Sequence, residues 1–348
     1  MRLPGSGRFK QLFRSTGRLF TKRALVLLYH RVASLSPDPQ LLCVTPAHFG
    51  EHLEVLRQYG DPVALHKLLP SVKTRTRGRT LVVVTFDDGY IDNLDHAKPL
   101  LERHDIPATV FVTTGYVGTQ NEFWYDDLER LLLQPGNLPD TLRVNIDGTF
   151  QEWQLGSASH YDPKTHQSYA GWNITKTVNP TRRHELYRSI FHRLHPLPDQ
   201  ERRRVMDDLL KAASMKTSGR ASHRVLSPQE MIQLTNGGLV DVGSHTVTHS
   251  VLSTLPVAAQ AGEIAGSKAF LQNILNRPVT TFAYPFGGRP HYTAETVLAV
   301  RDAGFELACS NFPGLVHART DPWQLPRFLV RDCDGDGFAR YLYEWAND

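Results

Sequence analysis

The chain has 348 residues, 41% of them hydrophobic, with a formal net charge of +4. That length holds one large or two ordinary domains, and so mild a charge excludes a dedicated nucleic-acid binder, which concentrates basic residues on one face. Three scattered cysteines, Cys43, Cys309 and Cys333, exclude a disulfide framework and suit a reducing compartment, and no stretch approaches the roughly 18–20 apolar residues of a membrane span.

Residues 1–23 form a basic tail, with Arg2, Arg8, Lys10, Arg14, Arg18, Lys22 and Arg23 set among Leu12, Phe13, Leu19 and Phe20. The tail lacks the apolar core and small-residue cleavage site of a secretory signal. A solvated tail is the simpler reading, with peripheral contact to anionic lipid as the functional alternative. The expected location is cytoplasmic, at most peripheral to the inner face of the membrane. Ala24 to His30 reads as the first core strand, ending in a histidine. Thr45-Pro46 opens a helix with a capping residue and a first-turn proline. Phe49, Leu53 and Leu56 line its apolar face, and Gly60 closes it. Lys73, Arg75, Arg77 and Arg79 read as a solvated loop.

Leu81 to Phe86 is an unbroken apolar run, the mark of a strand covered on both faces. It runs into Asp87-Asp88-Gly89. Neighbouring strand residues point to opposite faces, so both acids serve one site only where the strand breaks into a turn, which Gly89 permits. An ordinary acidic strand-end turn fits the same letters. Asn93 to His104 repeats a helical pattern and Ala108 to Thr114 supplies another strand. This alternation of strand and helix predicts a parallel, barrel-like sheet.

The segment from about 121 to 221 differs in character. Phe123 to Leu133 reads as helical, Leu142 to Leu155 as a hairpin turning at Asp147-Gly148, and Arg182 to Lys211 as a charged helical stretch. It reads as an insertion packed over the active face. Trp124, Trp153 and Trp172 offer flat faces for sugar stacking, with core packing the commoner fate. Ser227-Pro228-Gln229-Glu230 is a capping box, and Leu239 to Val242 leads as a strand into Gly243-Ser244-His245-Thr246-Val247-Thr248-His249. Histidines four apart can face the same way across one helical turn. With one carboxylate they make a His-His-Asp set that leaves positions open for water and substrate. Beyond it come a helix from Pro256 to Leu275, strands at Val279 to Ala283 and Glu306 to Ser310, and a helix from Thr293 to Ala303. Asp332 to Gly337 matches half of a calcium loop but lacks the closing acid, and reads as a polar turn.

Thr85-Phe86-Asp87-Asp88-Gly89-Tyr90 and Ser244-His245-Thr246-Val247-Thr248-His249 resemble the first two motifs of the polysaccharide deacetylase family, also called the NodB homology domain or carbohydrate esterase family 4. Phe282-Ala283-Tyr284-Pro285-Phe286-Gly287 is similar to its third motif, and Tyr29-His30-Arg31-Val32 resembles the opening strand of one subgroup. The resemblance implies a distorted or incomplete (β/α) barrel over residues 24–348 with a large insertion between the first two motifs. It also implies metal-dependent hydrolysis of the acetyl group from N-acetylated sugar of a polysaccharide or lipid-linked glycan. Asp88, His245 and His249 would then hold a divalent ion, zinc first, with cobalt, nickel or iron also accepted by such a donor set. Asp87 would be the general base, and the Phe286 amide N–H a donor to the oxyanion. For the general acid, His30 is preferred over His317 of Leu315-Val316-His317. The arginine that often opens the third motif is absent, and Arg327 is the candidate to replace it from a neighbouring strand end. The rival readings are a His-His-Asp iron oxygenase and a metal-bearing glycan-binding module without turnover.

Overall fold

The computed structural model describes residues 23–74 and 79–347. The basic N-terminal tail up to residue 22, and Arg75 and Arg77, lie outside them. Eight parallel strands form the main sheet. They are β1 (Ala24–Tyr29), β2 (Gly60–Pro62), β3 (Thr80–Phe86), β4 (Ala108–Val112), β7 (Val240–Ser244), β8 (Thr281–Ala283), β9 (Leu307–Cys309) and β10 (Phe328–Leu329). Between β4 and β7 lies an antiparallel hairpin of β5 (Thr141–Ile146) and β6 (Thr149–Gln154). The order across the main sheet is β9-β8-β7-β4-β3-β1-β10, with β2 beside the start of β3. An α/β architecture with a curled parallel sheet, the expected incomplete barrel, is what the chain adopts. An isolated parallel bridge between Cys309 and Leu325 links the two ends of the sheet where barrel closure fails.

The central strands β1 and β3 pair over six positions, from Ala24↔Leu81 to Tyr29↔Phe86. Both are buried along almost their whole length, which is why they read as continuous apolar runs without alternation. Helices cover the outside: α1 (Pro46–Tyr59), α2 (Lys98–His104), α3 (Trp124–Leu132), α4 (Arg182–Leu194), α5 (Asp199–Ala212), α6 (Pro228–Thr235), α7 (Val257–Leu275), α8 (Ala294–Asp302) and α9 (Gly335–Asn347). Helix α1 is capped by Thr45, whose hydroxyl accepts from the His48 N–H, and α6 carries the expected capping box between Ser227 and Glu230.

Three local expectations change. Gly60 is extended (φ −132°) rather than left-handed. A side chain there would strike Val82, 2.4 Å from the position of a Cβ, so the glycine serves strand pairing, not helix termination. The charged stretch from Arg182 to Lys211 is two helices, broken at Pro196 and Pro198. The acidic run at 332–337 caps elements: Asp332 accepts from the Thr45 N–H and Asp334 from the Gly337 N–H at the start of α9. Trp124 and Trp172 are buried in the core, and Trp153 packs half-buried against it.

Candidate active site

The chemistry gathers where the strands of the curled sheet end. β3 stops at Phe86, and Asp88 (φ +74°) and Gly89 (φ +80°) turn the chain back in successive left-handed conformations. That turn brings the two neighbouring carboxylates into one site. It is held from β1's side: Asp92 accepts from both the Arg31 guanidinium and the Val32 N–H, at 2.9 Å each, and Asn93 donates to the His30 carbonyl.

The histidine block arrives from β7, the second strand over, but by a different route from the expected helical turn. Residues 245–250 form an irregular loop, with Thr246 (φ +64°) and His249 (φ +55°) both left-handed. The loop's amides explain how this is sustained. Glu263 of α7 accepts from the N–H groups of Val247 and Thr248 (2.9 and 2.8 Å) and from the Thr248 hydroxyl. From the other side Arg202 of α5 donates to the carbonyls of His249 and Thr248 and to the Ser250 hydroxyl.

Asp88, His245 and His249 meet, all buried, with one ligand atom of each within 4.8 Å of the others. The His249 Nε2 lies 3.2 Å and the His245 Nε2 3.6 Å from Asp88 Oδ1. That oxygen is buried and has no hydrogen-bond partner among the described residues. The His245 Nδ1 donates to the Ala283 carbonyl at 2.8 Å, which leaves the Nε2 lone pair aimed inward. Burial holds His245 at about 4, so the imidazole is neutral at pH 7. Two imidazole nitrogens and one ionised carboxylate with a buried, unpartnered oxygen suit a divalent cation.

Asp87 points to different partners. Arg327, at the start of β10, donates from both terminal nitrogens to its two oxygens, 2.7 Å each, and from its Nε to the Ser310 carbonyl. Both side chains are buried. Burial alone would raise the Asp87 carboxyl, but the Arg327 charge and then that of His245 outweigh it, and the group stays below its ordinary value. For Asp88 burial is likewise outweighed, chiefly by His249. Arg327 thus reaches Asp87 from the start of a neighbouring strand.

His30 lies at the site end of β1. Burial lowers its imidazole below the ordinary value, while Asp88 and Asp87 act in the opposite direction. His317 is elsewhere: its neighbour Val316 bridges Ala24, at the far end of the same strand. Phe286 (φ +59°) and Gly287 (φ +60°) make a left-handed turn after Pro285. The Phe286 N–H donates to no acceptor among the described residues, while its carbonyl accepts from Asn311. The ring packs on His249, with centroids 4.7 Å apart.

Four side chains at the site were not singled out from the sequence. Tyr125 of α3 donates to Asp88 Oδ2 at 3.1 Å. Arg202 and Glu263 grip the histidine loop as described. His195, at the end of α4, sets its ring 4.3 Å from that of Phe286. For Arg202 a signal existed: it shares the i, i+3, i+4, i+7 face of α5 with Val205, Met206 and Leu209, all buried. A charge on an apolar stripe needs a partner.

Comparison with known proteins agrees with this geometry. A family model described as polysaccharide deacetylase matches residues 74–144 and 203–308, just over half of the chain. YxkH of Bacillus subtilis (strain 168), named as a polysaccharide deacetylase, is 26% identical over 108 residues, which span 30% of this chain and only 37% of that protein. Among solved structures, the Streptococcus pyogenes deacetylase PplD in complex with acetate aligns over 92% of this chain and 98% of its own, at 17% identity and a TM-score of 0.56. IcaB from Ammonifex degensii aligns over 94% and 98%, at 20% identity and a TM-score of 0.55. These two likenesses are of fold. Since the matched sequence carries both the Asp-Asp turn and the histidine loop that meet in space, the chain belongs to the polysaccharide deacetylase family.

Proposed function

We propose that the protein is a metal-dependent deacetylase that hydrolyses the acetamide of an N-acetylated sugar within a polysaccharide or lipid-linked glycan. One observation supports this reading: the two adjacent carboxylates have separate partners, Asp88 turned to the histidine pair and Asp87 locked by Arg327. A module that only binds glycan has no use for the second, oriented acid.

In this reading Asp88, His245 and His249 hold the cation. The chemistry a bound divalent ion supplies there is polarisation of the amide carbonyl and acidification of a water. Zinc suits the donor set, and cobalt, nickel and iron are also compatible with it. Asp87 takes the proton of the attacking water as general base. Its low basicity beside Arg327 keeps it ionised, and the bidentate grip fixes its plane without occupying every lone pair. The Phe286 N–H, free and fixed by the Pro285 turn, donates to the oxyanion. His30 delivers the proton to the departing amine, at the site end of β1 and within the field of both aspartates. Arg327 acts through Asp87 as a positioning residue.

The test is acetate release from a panel of N-acetylated glycans, together with metal analysis of the purified protein. Wild type should release acetate, and Asp88→Ala should lose both the metal and the activity. Acetate release that survives Asp88→Ala unchanged would overturn the assignment.

A further inference from the structure

Arg202 is 0% exposed. Its one ion pair among the described residues, to Asp199, is long at 3.8 Å. Burying a guanidinium is costly unless its donors are matched at close range. The acceptors it does reach lie in the histidine loop: the His249 carbonyl (3.4 Å), the Thr248 carbonyl (3.3 Å) and the Ser250 hydroxyl (3.0 Å). Two of those three are main-chain atoms of or next to His249, whose left-handed backbone sets the direction of its imidazole. Glu263 grips the amide face of the same loop. The loop is therefore held between an anion on its N–H groups and a cation on its carbonyls, a matched pair for a conformation that non-glycine residues rarely adopt.

Tyr125 does the corresponding work on the carboxylate. Its hydroxyl donates to Asp88 Oδ2, which leaves Oδ1 as the atom facing both histidines. The tyrosine is itself fixed: it is buried, its ring stacks on Phe123 at 5.3 Å, and its hydroxyl lies 3.4 Å from that of Tyr90. Both Tyr125 and Arg202 come from the segment between the first and second sequence blocks, whose other features are a hairpin and surface helices.

We propose that Arg202 and Tyr125 are positioning residues of the cation site, which makes the segment between the first two blocks a structural part of the metal centre. The proposal rests on the reading above, in which Asp88, His245 and His249 bind a divalent ion. Each residue touches a ligand-bearing unit and no reacting atom. Each acts by fixing the direction of a ligand before the ion arrives, as outer partners of metal ligands generally do.

The test uses the full chain stripped of metal and titrated with Co²⁺, followed by its visible absorption, with Zn²⁺ as competitor. Four variants are compared with wild type: Asp88→Ala, Tyr125→Phe, Arg202→Met and Arg202→Lys. Wild type should bind one Co²⁺ and Asp88→Ala none. Tyr125→Phe and Arg202→Met should each weaken binding by about tenfold and shift the absorption band. Arg202→Lys, which keeps the charge but loses the fork, should fall between wild type and Arg202→Met. The metal-free melting temperature of Tyr125→Phe should stay near that of wild type, a result a merely structural role in the core would not give alongside a lost affinity. Should Arg202→Met fail to fold, Arg202→Lys and Tyr125→Phe decide the matter. Wild-type affinity and an unchanged band in the variants would overturn the positioning roles while leaving the metal site intact. Absence of Asp88-dependent Co²⁺ binding in wild type would remove the metal reading itself, and this proposal with it.

Discussion

Asp87 and Asp88 differ by one position in the chain and by their hydrogen-bond partners. Asp88 meets two imidazoles and a phenol; Asp87 meets a guanidinium fork. Asp87→Asn keeps the shape and the cation ligands, so cation affinity should hold while acetate release falls by at least about 100-fold, the usual weight of a general base. Equal turnover by the two proteins would remove Asp87 from that role. Arg327→Met leaves the buried Asp87 charge without its guanidinium, and truncating one partner of a buried pair costs about 3–5 kcal/mol, which urea denaturation should register. What the sequence made legible at this scale is the set of residues with a motif around them. His30, Asp87, Asp88, His245 and His249 are found from their neighbours in the chain. Tyr125 and Glu263 lack such a context, because each acts on an atom far away in sequence, at separations of 37 and 15–16 residues.

The strands and helices were legible where one signal ruled. β3 reads as covered on both faces because it is, and the Asp147-Gly148 turn between β5 and β6 has both residues left-handed (φ +50° and +77°), as a two-residue hairpin requires. The histidine loop departs from the helical turn that its spacing suggests, because a spacing of four is compatible with more than one backbone. What selects the irregular path is the grip of α5 and α7, which are distant in sequence. The Asp-Asp-Gly turn gives a prediction at the same scale. Gly89 adopts φ +80°, and a Cβ on it would lie 3.0–3.2 Å from Val112. Gly89→Ala should therefore destabilise by more than the roughly 1–2 kcal/mol of a left-handed alanine alone, measured by thermal or urea unfolding, and should weaken cation binding by moving Asp88.

For the molecule as a whole, two conditions bear on stability. The first follows from the proposed cation site: a ligand that binds only the folded state at 100 times its dissociation constant adds about 2.7 kcal/mol. Chelator should lower the melting temperature of wild type and leave that of Asp88→Ala unmoved. The second is pH, to which His52 at the junction of α1, β1 and α9 contributes alongside other histidines lowered by burial. Its Nε2 donates to the Cys333 carbonyl (2.8 Å), its Nδ1 accepts from the Tyr29 hydroxyl (3.3 Å), and its ring stacks on Phe338. Burial lowers the imidazole to about 4, against about 6.5 in an unfolded chain. The unfolded state binds the extra proton between those values, so this contribution is intact above about pH 6.5 and is lost as pH falls towards 4, on the order of 3 kcal/mol in all. His52→Gln should flatten the dependence of the urea midpoint on pH between 7 and 5; an unchanged slope would acquit His52.

The seam of the curled sheet has a bearing on when the protein becomes competent. β10 is the last strand of the main sheet in chain order; it docks on β1 across nearly the whole chain and brings Arg327 with it. Pairing such remote segments carries a large loop-closure cost and is intrinsically slow. Without that strand Asp87 has no guanidinium to orient it. In the proposed mechanism a molecule lacking the β10 pairing would own every ligand for its cation and still be chemically mute, its general base unaimed.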